Sequence, residues 1–144
     1  MAATTPAAFD PAPRQLGVTI DCIAGAAILA GQAVVMQASG DSYSVIACDS
    51  DTSAVETFVG VALHSQAVAG GHVAVASVGS VVKVYESAGS TIDAGDFLIA
   101  GAAAGCVVPV GTTAAAILGF ALTDGAANAE LYCMVVPSMV LKSG

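Results

Sequence analysis

From Leu16 onward the chain is divided into short runs rich in Val, Ile, Leu and Phe, separated by clusters of Gly, Ser, Asp and Asn. The runs fall at 16–22, 33–37, 44–48, 58–63, 72–78, 80–85, 97–100, 107–110, 117–122 and 131–136. In the first, Leu16, Val18, Ile20 and Cys22 point one way while Gly17, Thr19 and Asp21 point the other, the alternation of a half-buried strand. About ten such strands at close spacing predict an all-β chain, a small β-barrel or sandwich. The single helical signal, the capping-box spacing Ser53-x-x-Glu56, gives at most a turn or two. The alanines at 102–104 and 114–116 are too interrupted by Gly and Thr to form helices.

A weak internal repeat runs through these strands. Ile28-Leu-Ala-Gly31-Gln-Ala-Val34 aligns with Ile92-Asp-Ala-Gly95-Asp-Phe-Leu98, and Val59-Gly60-Val-Ala-Leu63 with Leu118-Gly119-Phe-Ala-Leu122. After each Gly-x-Ala-Leu strand come a loop and another strand, 72–78 in the first half and 131–136 in the second. Gly31 and Gly95 suit tight turns that need a positive φ. Gly60 and Gly119 sit inside strands, where a missing side chain marks a bulge or a close backbone approach. Two similar β-units fused in one small barrel account for both patterns.

Residues 1–15 differ. They hold three of the five prolines (Pro6, Pro11, Pro13) and no apolar periodicity, which excludes a helix or a central strand and leaves an extended arm. The expected organisation is therefore an arm over 1–15 and one β-rich domain over 16–144.

Charge narrows the environment of that domain. Only 10% of the 144 residues are charged, against about a quarter in an ordinary soluble domain, so much of the outside should face something other than water. Lipid is a poor candidate: the uncharged stretches 22–40 and 97–123 are long enough to span a bilayer, but Gly, Pro, Gln and Thr interrupt both. No Lys or Arg precedes Arg14 and no apolar core follows Met1, so no signal peptide is expected. The net charge of −8, with only Arg14, Lys83 and Lys142 as cations, disfavours nucleic acid. Protein neighbours remain.

Chemistry-bearing motifs are sparse. Cys22, Cys48, Cys106 and Cys133 are scattered singly, as reduced, buried small hydrophobes would be. His64 and His72 have no Cys or carboxylate at a metal-ligand spacing, and Asp49-Ser-Asp51 reads as a hydrated turn. No Gly-x-Ser-x-Gly elbow, Cys/His signature or phosphate-binding Gly loop occurs, so no enzyme, metal or cofactor is expected. Ala94-Gly95-Asp96 is similar to a turn of biotinyl and lipoyl carrier modules. Their modified lysine sits at a hairpin tip, whereas Lys83 lies within the strand pattern Val81-Val82-Lys83-Val84.

Gly60 to Leu63, Gly70 to Val75, Gly79 to Val82, Ala94 to Asp96 and Gly119 to Leu122 follow one another in an arrangement that resembles the capsid decoration, or cement, proteins of tailed phages, over roughly residues 16–137. The resemblance implies a lambda-type head decoration fold and a virion role on the outer capsid surface after synthesis in the host cytoplasm. It further implies homotrimers that bridge major capsid proteins. The N-terminal tract would be the capsid-binding element, through Pro6, Phe9, Pro11, Arg14, Leu16, Val18 and Ile20, with Arg14 to Cys22 the better candidate for strand addition. Another self-assembling phage β-protein, such as a tail, spike or surface component, is the alternative.

Overall fold

Alternating side chains become ten strands in the computed structural model: β1 (Thr19–Ala24), β2 (Ala33–Met36), β3 (Ser44–Ala47), β4 (Phe58–Ala62), β5 (His72–Ala76), β6 (Val81–Tyr85), β7 (Phe97–Ala100), β8 (Val107–Pro109), β9 (Ile117–Ala121) and β10 (Glu130–Ser138). The structure describes residues 16–37, 43–49, 57–87, 90–111, 116–125 and 130–138. The arm over 1–15 and the Ser53-x-x-Glu56 signal lie outside those residues. No helix occurs among the described residues, and 102–105 is a bend and turn.

Strands β1 to β5 close into a barrel in the order β1-β3-β2-β4-β5, and β6 to β10 form a second sheet in the order β6-β10-β9-β7-β8. Read from the other end, β8-β7-β9-β10-β6, the second order is that of the closed barrel taken round from β3 with each strand replaced by its counterpart five places later. The registers agree residue by residue. Val34 faces both Ala47 and Gly60, while Leu98 faces Pro109 and Gly119. The turn bonds repeat too: Gly31 N–H donates to Ala62 O at 2.9 Å and Gly95 N–H to Ala121 O at 2.8 Å. Even side-chain caps recur, with Gln32 Oε1 accepting from Leu29 N–H and Asp96 Oδ2 from Asp93 N–H, each at 2.9 Å.

The chain is therefore two copies of one five-stranded unit rather than two units sharing one small barrel. The first is closed by a parallel ladder of β1 with β3, Ile23↔Ser44 and Ala24↔Val45. In the second, a single parallel bridge, Glu86↔Val107, stands at the corresponding place. Thr19–Ala24 and Val81–Glu86 are counterparts that share no identical residue, which hides this part of the duplication from the sequence.

Both interiors are apolar. Cys22, Ala24, Ile28, Val34, Val45, Ala62, Val73 and Val75 fill the barrel. A second cluster joins the interior of the other unit (Val84, Ile92, Leu98, Val107, Leu131, Cys133) to Ala33, Val35, Val61 and Ala76 on the outside of the barrel. The two units are thus held together by a continuous core.

Gly60 and Gly119 have equivalent surroundings. A Cβ on Gly60 would overlap the Ala76 carbonyl oxygen, and one on Gly119 the Met134 carbonyl oxygen. The partner backbone occupies the space of a side chain; β9 with β10 shifts register between Val135 and Ser138, while the shift next to Gly60 lies in its other pair, β2 with β4. Pro137 falls within the irregular stretch of β10 and Pro109 ends edge strand β8, places where a missing N–H costs no ladder bond.

Strand β1 begins three residues later than the alternation predicts. Leu16 and Val18 are 47% and 49% exposed, Ile20 is half-buried and Cys22 is buried. Residues 16–18 still run beside 77–80, through Val18 N–H to Val78 O at 3.0 Å and Ser77 N–H to Val18 O at 2.7 Å. This stretch overhangs the barrel, so its apolar side chains have no layer to pack against.

Candidate interaction surfaces

Period-two alternation gives every strand a second face, and the two units treat that face differently. On the barrel, Ala33, Val61 and Ala76 lie side by side across β2, β4 and β5, and all three are buried beneath the second unit. Their counterparts are Phe97, Phe120 and Met134, aligned across β7, β9 and β10. Phe97 is 52% exposed, and Phe120 and Met134 are half-buried. Ile99 and Val108 continue this surface as a cross-strand pair, and Leu122 extends it at 40% exposure. The turn glycines agree: a Cβ on Gly31 would lie 2.7 Å from the Tyr85 ring, whereas Gly95 has open space around it.

A second apolar surface lies at the end of the barrel where the N-terminal tract enters. Ile20, Met36, Tyr43, Phe58, Val59 and Val78 help to line an open groove of about 640 Å³. Tyr43 is 64% exposed and is the sole non-glycine with positive φ (64°) among the described residues. A tyrosine held there is strained. Of the capsid-binding residues suggested by the resemblance, Ile20 lines this groove and Val18 is bonded to Val78 beside it. Leu16 is exposed. Pro6, Phe9, Pro11 and Arg14 lie outside the described residues.

A smaller cleft of about 310 Å³ separates the units between β4 and β6, lined in part by Gly31, Leu63, Lys83, Tyr85, Glu130 and Tyr132. Lys83 Nζ lies 3.0 Å from Glu130 and 5.8 Å from the Tyr132 ring centre. The hydrogen bond to Glu130 raises the Lys83 pKa, which keeps the amine protonated and poorly nucleophilic. Lys83 lies within edge strand β6 and not at a hairpin tip, unlike a carrier lysine.

The histidines and cysteines make local contacts. His64 Nε2 accepts from Ala74 N–H at 3.0 Å, which leaves the proton on Nδ1 facing Ser65 O at 3.2 Å. Thr123 Oγ1 plays the corresponding part toward Tyr132 N–H. His72 meets Asp21 at 3.2 Å in the open. None of the four cysteines is in a disulfide, and Cys22, Cys48 and Cys133 are buried. Burial pushes the Cys133 thiol up to about 12 and also raises Cys106; Cys22 is raised by burial and, less, by the charge of Asp21. No group of three His, Cys, Asp or Glu side chains that could hold a metal occurs among the described residues. No helix among them is long and apolar enough to cross a membrane.

One buried carboxyl group interrupts this apolar interior. Glu86 is 1% exposed, and neither carboxylate oxygen has a hydrogen-bond partner among the described residues. Its counterpart in the barrel is Ala24, so no strand pattern would have marked it. Gly125 stands beside it, where a Cβ would lie 3.1 Å from Glu86 Oε1.

No protein family matches the chain, and no curated protein is similar to it at a significant level. Among solved structures, the chain is similar to the N base of the head fiber protein gp8.5 of bacteriophage phi29. The likeness has a TM-score of 0.58 at 18% identity and covers 85% of this chain and 97% of that one. The two share a fold, over nearly the whole length of the phage domain.

Proposed function

We propose that this chain is a non-enzymatic structural subunit of a phage head, bound to the outside of the capsid as a cement or decoration protein. The likeness to a head fiber base is the observation that carries this reading. The uncovered apolar surfaces support it, because a subunit that lives between neighbours needs contact area rather than a charged coat. In this reading the subunit is a homotrimer that bridges major capsid proteins and makes no contact with DNA or membrane. Binding only to the assembled surface would stabilise the head by mass action.

The stretch from Leu16 to Val18, exposed beside Val78, is the proposed capsid-facing element. Purified heads lacking the protein should release DNA at a lower temperature than heads to which it has been added back. Deletion of residues 1–15 should lower occupancy while leaving the circular dichroism of the domain unchanged. Absence from purified particles, or heads equally stable without it, would defeat the proposal. The phi29 neighbour favours a second reading, in which the chain is the seat of a projecting fiber. Imaging of particles would separate the two, since a seat carries additional density above it.

A further inference from the structure

The outer face of the second unit has the same place in the fold as a face that is already covered within the chain. Ala33, Val61 and Ala76 are buried because a second copy of the unit sits on them. The covering elements are β6, β9 and β10 against β4, the Tyr85 ring over Gly31, and Gly105, which accepts from Ala33 N–H at 2.9 Å and donates to Cys48 O at 2.7 Å. We infer that a second copy of this chain covers the Phe97–Phe120–Met134 face with its own barrel, so that the contact between the units within one chain recurs, head to tail, between chains.

Both halves of that contact are open in the single chain. On one side, Phe97 and Leu122 are exposed and Gly95 has nothing over it. On the other, the barrel positions matching the covering elements are also accessible. Ile23, the counterpart of Tyr85, is half-buried. Tyr43, the counterpart of Gly105, is 64% exposed at φ 64°, close to the 76° of Gly105. Gly105 packs against Gln32; in the recurring contact Tyr43 would meet Asp96, the shorter counterpart of Gln32, and exposed tyrosines are common anchors of interfaces. The change from Ala, Val and Ala to Phe, Phe and Met gives the second face more apolar area than its covered counterpart. Because the two surfaces differ, the association is heterologous, and it closes into a ring or runs on as a filament according to the rotation between units. It rests on the duplication alone and not on a capsid role.

Size-exclusion chromatography with light scattering on the full chain tests this. The wild type should be oligomeric at ~50 µM, and Phe97→Asp or Tyr43→Asp should each weaken association at least ~10-fold and give a monomer. Asp is chosen at 43 because it tolerates positive φ. An equimolar mixture of the two variants retains one intact head and one intact tail, so it should form a species of two chains that does not grow with concentration. A wild-type monomer at that concentration would overturn the inference, as would a variant retaining the wild-type size or a mixture that stays monomeric. Should circular dichroism show Phe97→Asp unfolded, Leu122→Asp, on the same exposed face, takes its place. Failure to bind heads would leave these outcomes unaffected, so the two readings fail separately.

Discussion

The two units of this protein share strand order, pairing and turn hydrogen bonds, yet differ in closure, in one buried side chain and in what covers the outer face. In the first, β1 and β3 pair over two residues around an apolar cluster. In the second, the corresponding strands meet at one bridge, and a buried carboxylate, Glu86, stands in the slot of Ala24. The outer face of the first is small-residued and covered; that of the second is aromatic and open. Backbone architecture is thus preserved by the features that a hydrogen-bond network demands, while side chains diverge according to what lies against them.

The equivalence of the units is most severely tested at the paired glycines. Gly119→Val and Gly60→Val should each destabilise by more than ~4 kcal/mol, because a side chain must displace a neighbouring backbone carbonyl and not merely a flexible chain. Equal and severe losses in chemical denaturation would confirm that both sites need the same close approach; an unchanged melting temperature in either would break the equivalence.

Ile28 and Ile92 are counterparts with no exposed surface. Truncation of either to Ala should cost ~2–5 kcal/mol. If the continuous core couples the units, both variants will show one cooperative transition. A separate early transition for Ile28→Ala alone would mean that the barrel unfolds independently.

Glu86→Met removes two unpartnered buried oxygens at nearly constant volume and should stabilise by ~1–3 kcal/mol. Glu86→Gln keeps a buried polar group and should gain less. A destabilised Glu86→Met protein would show that the carboxylate has a favourable role that bare burial does not reveal.

The smallest difference at neutral pH concerns Cys133, where the barrel has Val75. Its folded pKa, about 12 against an ordinary 9.0, means that the folded state binds the proton more tightly than the unfolded chain. That contribution is complete below pH 9 and is lost as pH rises toward 12. Lys83, whose pKa is also raised, adds a loss of the same sign at higher pH. Denaturation midpoints measured across alkaline pH should therefore fall above pH 9, and Cys133→Val should flatten the first part of that fall. The same slope in the variant would assign it elsewhere.

Much of this was legible in the chain. The ten runs mark the ten strands because alternation and turn residues act locally, and the Ala-Gly and Gly-x-Ala-Leu alignments mark three of the duplicated elements. The match of β1 with β6 was not legible, since TIDCIA and VVKVYE share only their alternation. Alternation also starts β1 too early, because Leu16 and Val18 keep the pattern of a buried strand beyond the end of the barrel.

The set of strands, their two faces and the turns that need glycine are properties of neighbouring residues and follow from the chain alone. Which face is covered, which barrel closes, and that Glu86 is enclosed with no partner among the described residues depend on tertiary structure. Strand pairing joins residues distant in the chain, and a period of two specifies that a face is apolar without specifying what will lie against it.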